Sequence, residues 1–158
     1  MFTEFQQPAY LHLLINHLPI IGTGVGLLGL IVGLLLRHPL ALIPALIILL
    51  FSGLSAWPVY VTGSSAYKPI HKIADEAGVN WLDEHMDRAD NTVWVFYVMA
   101  GFAALSLTVP LKWPKSVKPL AILVLVSAIG SLGVGGYIAQ AGGRIRHTEL
   151  RPPANELH

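Results

Sequence analysis

Histidine is the residue type with chemistry to offer here. The chain has seven histidines. Five of them, His12, His17, His71, His85 and His147, fall at or near the edges of apolar stretches. Imidazole ligates haem iron, copper and zinc. There is no cysteine, which excludes disulfides, thiolate metal sites, iron–sulfur clusters and covalent haem attachment through CxxCH. His12 and His17 lie in Leu11-His12-Leu13-Leu14-Ile15-Asn16-His17-Leu18-Pro19-Ile20, where they and Asn16 interrupt continuous hydrocarbon. Polar side chains in such a place are costly unless they have a partner or a task. Five residues apart on an ideal helix is about 140° of rotation, so each of the two needs its own partner from another segment.

Three chemistries fit. The first is a b-type haem held between imidazoles from two helices, with His17 and His85 as the axial pair and His12 and His147 as replacements or supporting groups. Arg144 and Arg146 would neutralise its propionates. The second is a copper or zinc site around His85 with Glu84, Met86 and Asp87, although their spacing matches no metal motif. The third has no cofactor, the chain being an accessory or anchor subunit of a respiratory membrane complex. Blander readings stand beside these. His71 can be a solvated residue paired with Asp75 at i+4, His85 part of a charged helix face, and His147 a headgroup contact beside Arg144 and Arg146. No GxSxG, P-loop, dinucleotide fingerprint or HExxH is present, so an electron carrier or subunit fits better than a stand-alone enzyme.

The elements that must position these residues are apolar. Of 158 residues, 54% are hydrophobic and 12% charged, against about 25% charged in soluble domains. Mean hydropathy is +0.61. The net charge of +1 argues against nucleic acid as a partner. Four charge-free runs, Phe5–Leu36, His38–Tyr67, Asn91–Leu111 and Pro119–Gly143, each exceed the roughly 20 residues that cross a bilayer as helix. The sequence thus predicts an all-α integral membrane protein, a single four-transmembrane-helix domain over 1–158. Its spans lie near 18–36, 40–61, 92–109 and 120–140, with an outer loop over 63–91 and a tail over 144–158. No cleaved signal peptide is expected, because the first basic residue is Arg37. No ionisable residue lies mid-span, which disfavours a transporter.

The two short connections carry Arg37, Lys112, Lys115 and Lys118 and no acid. The positive-inside rule places them in the cytoplasm, giving N-out and C-out. The five histidines then share the outer, periplasmic face of a bacterial inner membrane. Within the outer loop, Pro69 at a first helical position, the stripe Ile70, Ile73, Ala74 and Ala77, and Gly78 as a C-cap predict a short surface helix. Asn80 with Asp83 predicts the start of the next helix near Trp81. Gly22, Gly26, Gly29 and Gly33 line one face of the first span; Ala128, Ser131, Gly135, Ala139 and Gly142 line one face of the fourth. Gly101, Ala104 and Thr108 make a weaker stripe in the third. Such faces suit close helix packing within one chain or in a homo-oligomer, and also leave room for a flat cofactor. Each half of the chain is a helix pair with a short inner loop, which hints at duplication.

The opening motif resembles the HPxxVHFPI opening of the DUF2231 family of four-helix bacterial membrane proteins. Gly142-Gly143-Arg144-Ile145-Arg146-His147 resembles that family's closing GGxLVYxHG, and Thr62-Gly63 its LTG. His85 falls where the family has a histidine before its third helix. The chain departs from the pattern in lacking Pro after His12 and in having Thr148 in place of Gly. The family is similar to small b-type membrane cytochromes. The resemblance therefore implies haem b on His12, His17, His85 and His147, and says nothing for His71. It implies one-electron transfer between membrane quinol or a c-type cytochrome and an outer-face acceptor.

Overall fold

The computed structural model describes residues 7–152. The first six residues and 153–158, the far end of the expected tail, lie outside them. The described residues are helical with no strand among them. Helix α1 (Pro8–Ile15) leads through a break at Asn16 and His17 into α2 (Leu18–Leu36), and α3 (Pro39–His71) runs back. Helix α4 (Glu76–Thr92) meets α5 (Trp94–Thr108) at Val93, and α6 (Val117–Arg146) completes the set. The rods Pro8–Leu36, Pro39–His71, Glu76–Leu111 and Pro114–Arg146 are each long and apolar enough to cross a membrane. In cross-section the order is α2, α3, α5, α6 and back to α2, with little contact across the diagonals.

Small residues make the close contacts, as the glycine pattern predicts. Gly22, Gly26, Gly29 and Gly33 all face α3, against Ser52, Leu49, Ala45 and Leu42. The core holds Leu30, Leu49, Met99, Ala103, Val124 and Ala128, all fully or nearly fully buried. Larger apolar side chains such as Leu28, Leu35, Phe51 and Val126 point outward. This distribution suits a helix bundle in lipid, where close backbone packing rather than expulsion of oil holds the helices together. In α6, Ala128, Ser131 and Gly135 are buried while Ala139 is exposed. Gly101 meets nothing within 4 Å, so the weak stripe of the third span is left unpacked.

Three expectations are corrected. There is no separate surface helix over 70–77: α3 continues through Pro69 to His71, and Pro69 sits within the last turn. Near a helix end the carbonyl orphaned by proline is open to other partners, so the ring need not begin a new helix. The N-cap of the next helix is Asp75, whose side chain accepts from the Gly78 amide at 2.9 Å, and not Asn80. Gly78 accordingly lies inside the first turn of α4 rather than ending a helix. Most of the expected loop over 63–91 is thus the extension of α3 and α4 beyond the expected spans.

The fold also shows what the duplication hint means in space. Each half is a broken rod followed by an unbroken one: α1, α2, α3 and then α4, α5, α6. The halves pack through equivalent pairs, α3 against α5 and α6 against α2.

Candidate functional site

Beyond the breaks in the two rods, α1 and α4 form the end of the bundle that carries His12 and His85. There α1 leans on α3 and α4 leans on α6, with few contacts between the two pairs. His12 on α1 hydrogen-bonds through Nδ1 to the Val59 carbonyl of α3 at 3.0 Å. His85 on α4 does the same to the Ile138 carbonyl of α6 at 2.9 Å. A carbonyl only accepts, so Nδ1 is the protonated nitrogen in each ring and Nε2 keeps its lone pair.

A glycine stands one turn beyond each accepting residue, Gly63 after Val59 and Gly142 after Ile138. A Cβ on Gly63 would lie 2.9 Å from His12 Cε1, and one on Gly142 would lie 3.0 Å from His85 Cε1. The two rings then approach each other across the gap, with centroids 6.4 Å apart and planes crossed at 77°. Their halves supply equivalent parts at the histidine pair and at several positions around it. One spacing in sequence separates His12 from His85 and Gly22 from Val95. A second separates Ser52 from Ser131, Val59 from Ile138 and Gly63 from Gly142. The histidine pair lies where the halves meet.

The other expected site residues are dispersed. His17 is the residue at the α1–α2 break and is exposed. His147, just past α6, is exposed and pairs with Glu149 at 2.9 Å, an acid that its own backbone amide and then this contact hold below its ordinary range. Arg144 lies over the Trp81 ring at 4.4 Å and donates to the Leu150 carbonyl. Arg146 is exposed. The His71 ring lies 5.7 Å from that of Tyr67, tilted by 48°, and Asp75 pairs with Arg151 instead.

The copper or zinc set does not converge. Glu84 pairs with Arg88 at 2.7 Å, Met86 and Asp87 line an open groove beside α3 with Tyr67 and Asp90, and His85 faces His12. Among the described residues no group of three or more histidine and acid side chains is placed to hold an ion.

Arginines fix the His85 side of the site. Arg88 bonds Glu84, the Tyr137 carbonyl at 2.6 Å and the Gln140 side chain, and covers the Tyr137 ring. Arg151 grips Asp75 with two bonds of 2.6 and 2.9 Å and also donates to the carbonyls of Arg144 and Ile145. That guanidinium holds the Asp75 carboxyl below its ordinary range, aided by the Gly78 amide. The clip ties the start of α4 to the end of α6. Asn16, one turn past His12, keeps its side-chain oxygen buried without a hydrogen-bond partner.

Sequence reasoning missed the roles of Val59 and Ile138, because a backbone carbonyl leaves no residue-type signal. Gly63 and Gly142 were visible in the motifs, but their partners were not. No protein-family model, curated protein or solved structure matches the chain.

Proposed function

We propose that this is a multi-pass membrane electron carrier that binds one haem b, which His12 and His85 would hold. The supporting observation is the pair of imidazoles 6.4 Å apart, one from each half, each tied through Nδ1 to a carbonyl. Two imidazoles on opposite sides of one metal would have ring centres roughly 6.2 Å apart, given about 2 Å from metal to nitrogen and about 1.1 Å from nitrogen to ring centre. The carbonyl bond fixes the tautomer and makes each Nε2 a better donor. A set of two neutral imidazoles suits haem iron, whose other four ligands come from the porphyrin. It is too small for a tetrahedral zinc or copper site. The sparse contact between the α1–α3 and α4–α6 pairs suits a flat group lying between them.

Relative to the expectation from sequence, His12 takes the place of His17 in the preferred pair. When bound, haem supplies a reversible one-electron couple. The chain's part is to hold both imidazoles, to exclude water and so to set the potential. Arg146 is the candidate for a propionate, since Arg144 is committed to Trp81 and Leu150. The acid-free connections 37–38 and 112–118 face the cytoplasm, which puts the histidine end at the outer surface of a bacterial inner membrane. Electrons then pass between a membrane quinol or a c-type cytochrome and an acceptor on that face. The similarity to DUF2231 proteins points the same way. The competing reading is a subunit in which the crossed imidazoles only pack, both being already hydrogen-bonded.

The test is the visible spectrum of detergent-purified protein expressed with haem supplied, oxidised and dithionite-reduced, with a pyridine haemochrome assay. A Soret band with sharp reduced α and β bands, at about one haem per chain, supports the carrier. A colourless protein supports the subunit.

A further inference from the structure

Thr62-Gly63 and Gly142-Gly143 are motif positions to which the proposed electron carrier, by itself, gives no task. We infer that Gly63 and Gly142 are positioning residues that seat the two imidazoles, each leaving the space in which a ring can reach the carbonyl one turn earlier. The inference rests on the ligand reading for its functional consequence, but the seat itself is a property of the haem-free chain.

Four observations carry it. A Cβ at Gly63 would come within 2.9 Å of His12 Cε1 and 3.0 Å of Nδ1; one at Gly142 would come within 3.0 Å of both Cε1 and Nδ1 of His85. These are the ring edges that carry the hydrogen bonds to Val59 and Ile138. A ring pushed off that edge therefore loses its carbonyl as it moves. Both glycines are helical with no positive φ, so alanine fits the backbone at either position and only the imidazole objects. In contrast, a Cβ on Gly130 or Gly133 of α6 would meet nothing within 4 Å. Those glycines serve as controls on the same helix as Gly142.

The consequence is a division of labour. His12 and His85 supply the nitrogens. Gly63 and Gly142 decide where those nitrogens stand and which one keeps its proton. A methyl group at either position moves one imidazole and leaves the other in its seat. Ligand geometry, and with it the potential, then changes without loss of a ligand-forming residue.

The experiment uses the full chain in detergent, without haem, with 15N-labelled histidine. In the parent protein both His12 and His85 should show a protonated Nδ1 and a lone-pair Nε2. Gly63→Ala should remove that signature from His12 alone, Gly142→Ala from His85 alone, and Gly130→Ala from neither. A Gly63→Ala spectrum with the His12 tautomer intact would overturn the inference, as would the same loss in Gly130→Ala. Should a glycine variant fold poorly, a thermal double-mutant cycle decides. Gly63→Ala should lower Tm by several degrees in the parent and have little effect beside His12→Ala, where the ring is gone. An equal drop in both backgrounds would mean that the methyl group strikes something other than His12. A parent protein that never takes up haem sinks the electron-carrier reading and leaves both of these measurements meaningful. If haem does bind, Gly63→Ala and Gly142→Ala should shift its midpoint potential, and Gly130→Ala should not.

Discussion

The two halves build the same seat in opposite surroundings. In the first half, α1 has no Asp, Glu, Lys or Arg, and His12 is flanked in sequence by Leu11, Leu13, Leu14 and Ile15. In the second, α4 carries Glu76, Asp83, Glu84, Asp87, Arg88 and Asp90. Around it Arg88, Arg144 and Arg151 form a set of charged ties to α6 and to the α3–α4 turn. Both halves nevertheless supply an imidazole bonded to a carbonyl one turn before a glycine, with the two ring centroids 6.4 Å apart. The shared parts are those the proposed ligand needs. The parts that differ set how each helix is held. Both halves have the helix break; the second half adds charged ties that respond to acid and salt, and the first relies on packing.

The largest effect expected from this comparison is at the shared seat. Haem should raise thermal stability, by about 4 kcal/mol at a thousandfold excess over its dissociation constant. His12→Ala and His85→Ala should each erase that increment, while His17→Ala and His147→Ala keep it. Thermal melts with and without added haem measure this. Unequal losses between His12→Ala and His85→Ala would break the equivalence of the halves.

Next come two core positions that are equivalent in the repeat but opposite in volume, Gly26 and Met99. A Cβ on Gly26 would press Leu49 Cγ at 2.6 Å, so Gly26→Ala should destabilise by overpacking, by about 1–3 kcal/mol. Met99 is fully buried, and Met99→Ala should open a cavity at about 2–5 kcal/mol. Reversible unfolding in mixed detergent micelles ranks them. If Gly26→Ala proves neutral, the α2–α3 contact is looser than described.

The smallest effect is at the clip that only the second half has. Arg151→Ala should speed amide exchange in the first turns of α4 and leave α1 unchanged. Acid should do the same. The Asp75 carboxyl is held below its ordinary range by Arg151, so the clip contributes fully above the usual carboxylate pKa of about 4. It is lost as pH falls through the lowered folded value. Hydrogen exchange followed with falling pH checks this; protection lost from α1 before α4 would contradict it.

Much of the fold was legible because long charge-free runs leave few alternatives, and because Gly22, Gly26, Gly29 and Gly33 could share a face only by packing. That His12 and His85 fall near the ends of apolar runs was legible for the same reason. The choice of pair was not. The break at Asn16 and His17 leaves His17 exposed and keeps His12 inward, and a break two residues long leaves little trace in the sequence beyond Pro19. Asp75 and Asn80 are equally good caps when read locally. The bond from Arg151, 76 residues away in sequence, favours the first. The α3 extension through Pro69 was missed because a proline at the end of one helix and at the start of another reads alike.

In the proposed reading, one imidazole from each half would hold a single haem iron. Low-temperature electron paramagnetic resonance of the oxidised, haem-loaded protein tests it most directly. If the two rings kept the 77° between their planes on binding haem, the oxidised protein would give a low-spin ferric signal of the highly anisotropic kind, lost in both His12→Ala and His85→Ala. A high-spin signal in the parent protein, or a low-spin signal that survives either substitution, would contradict it.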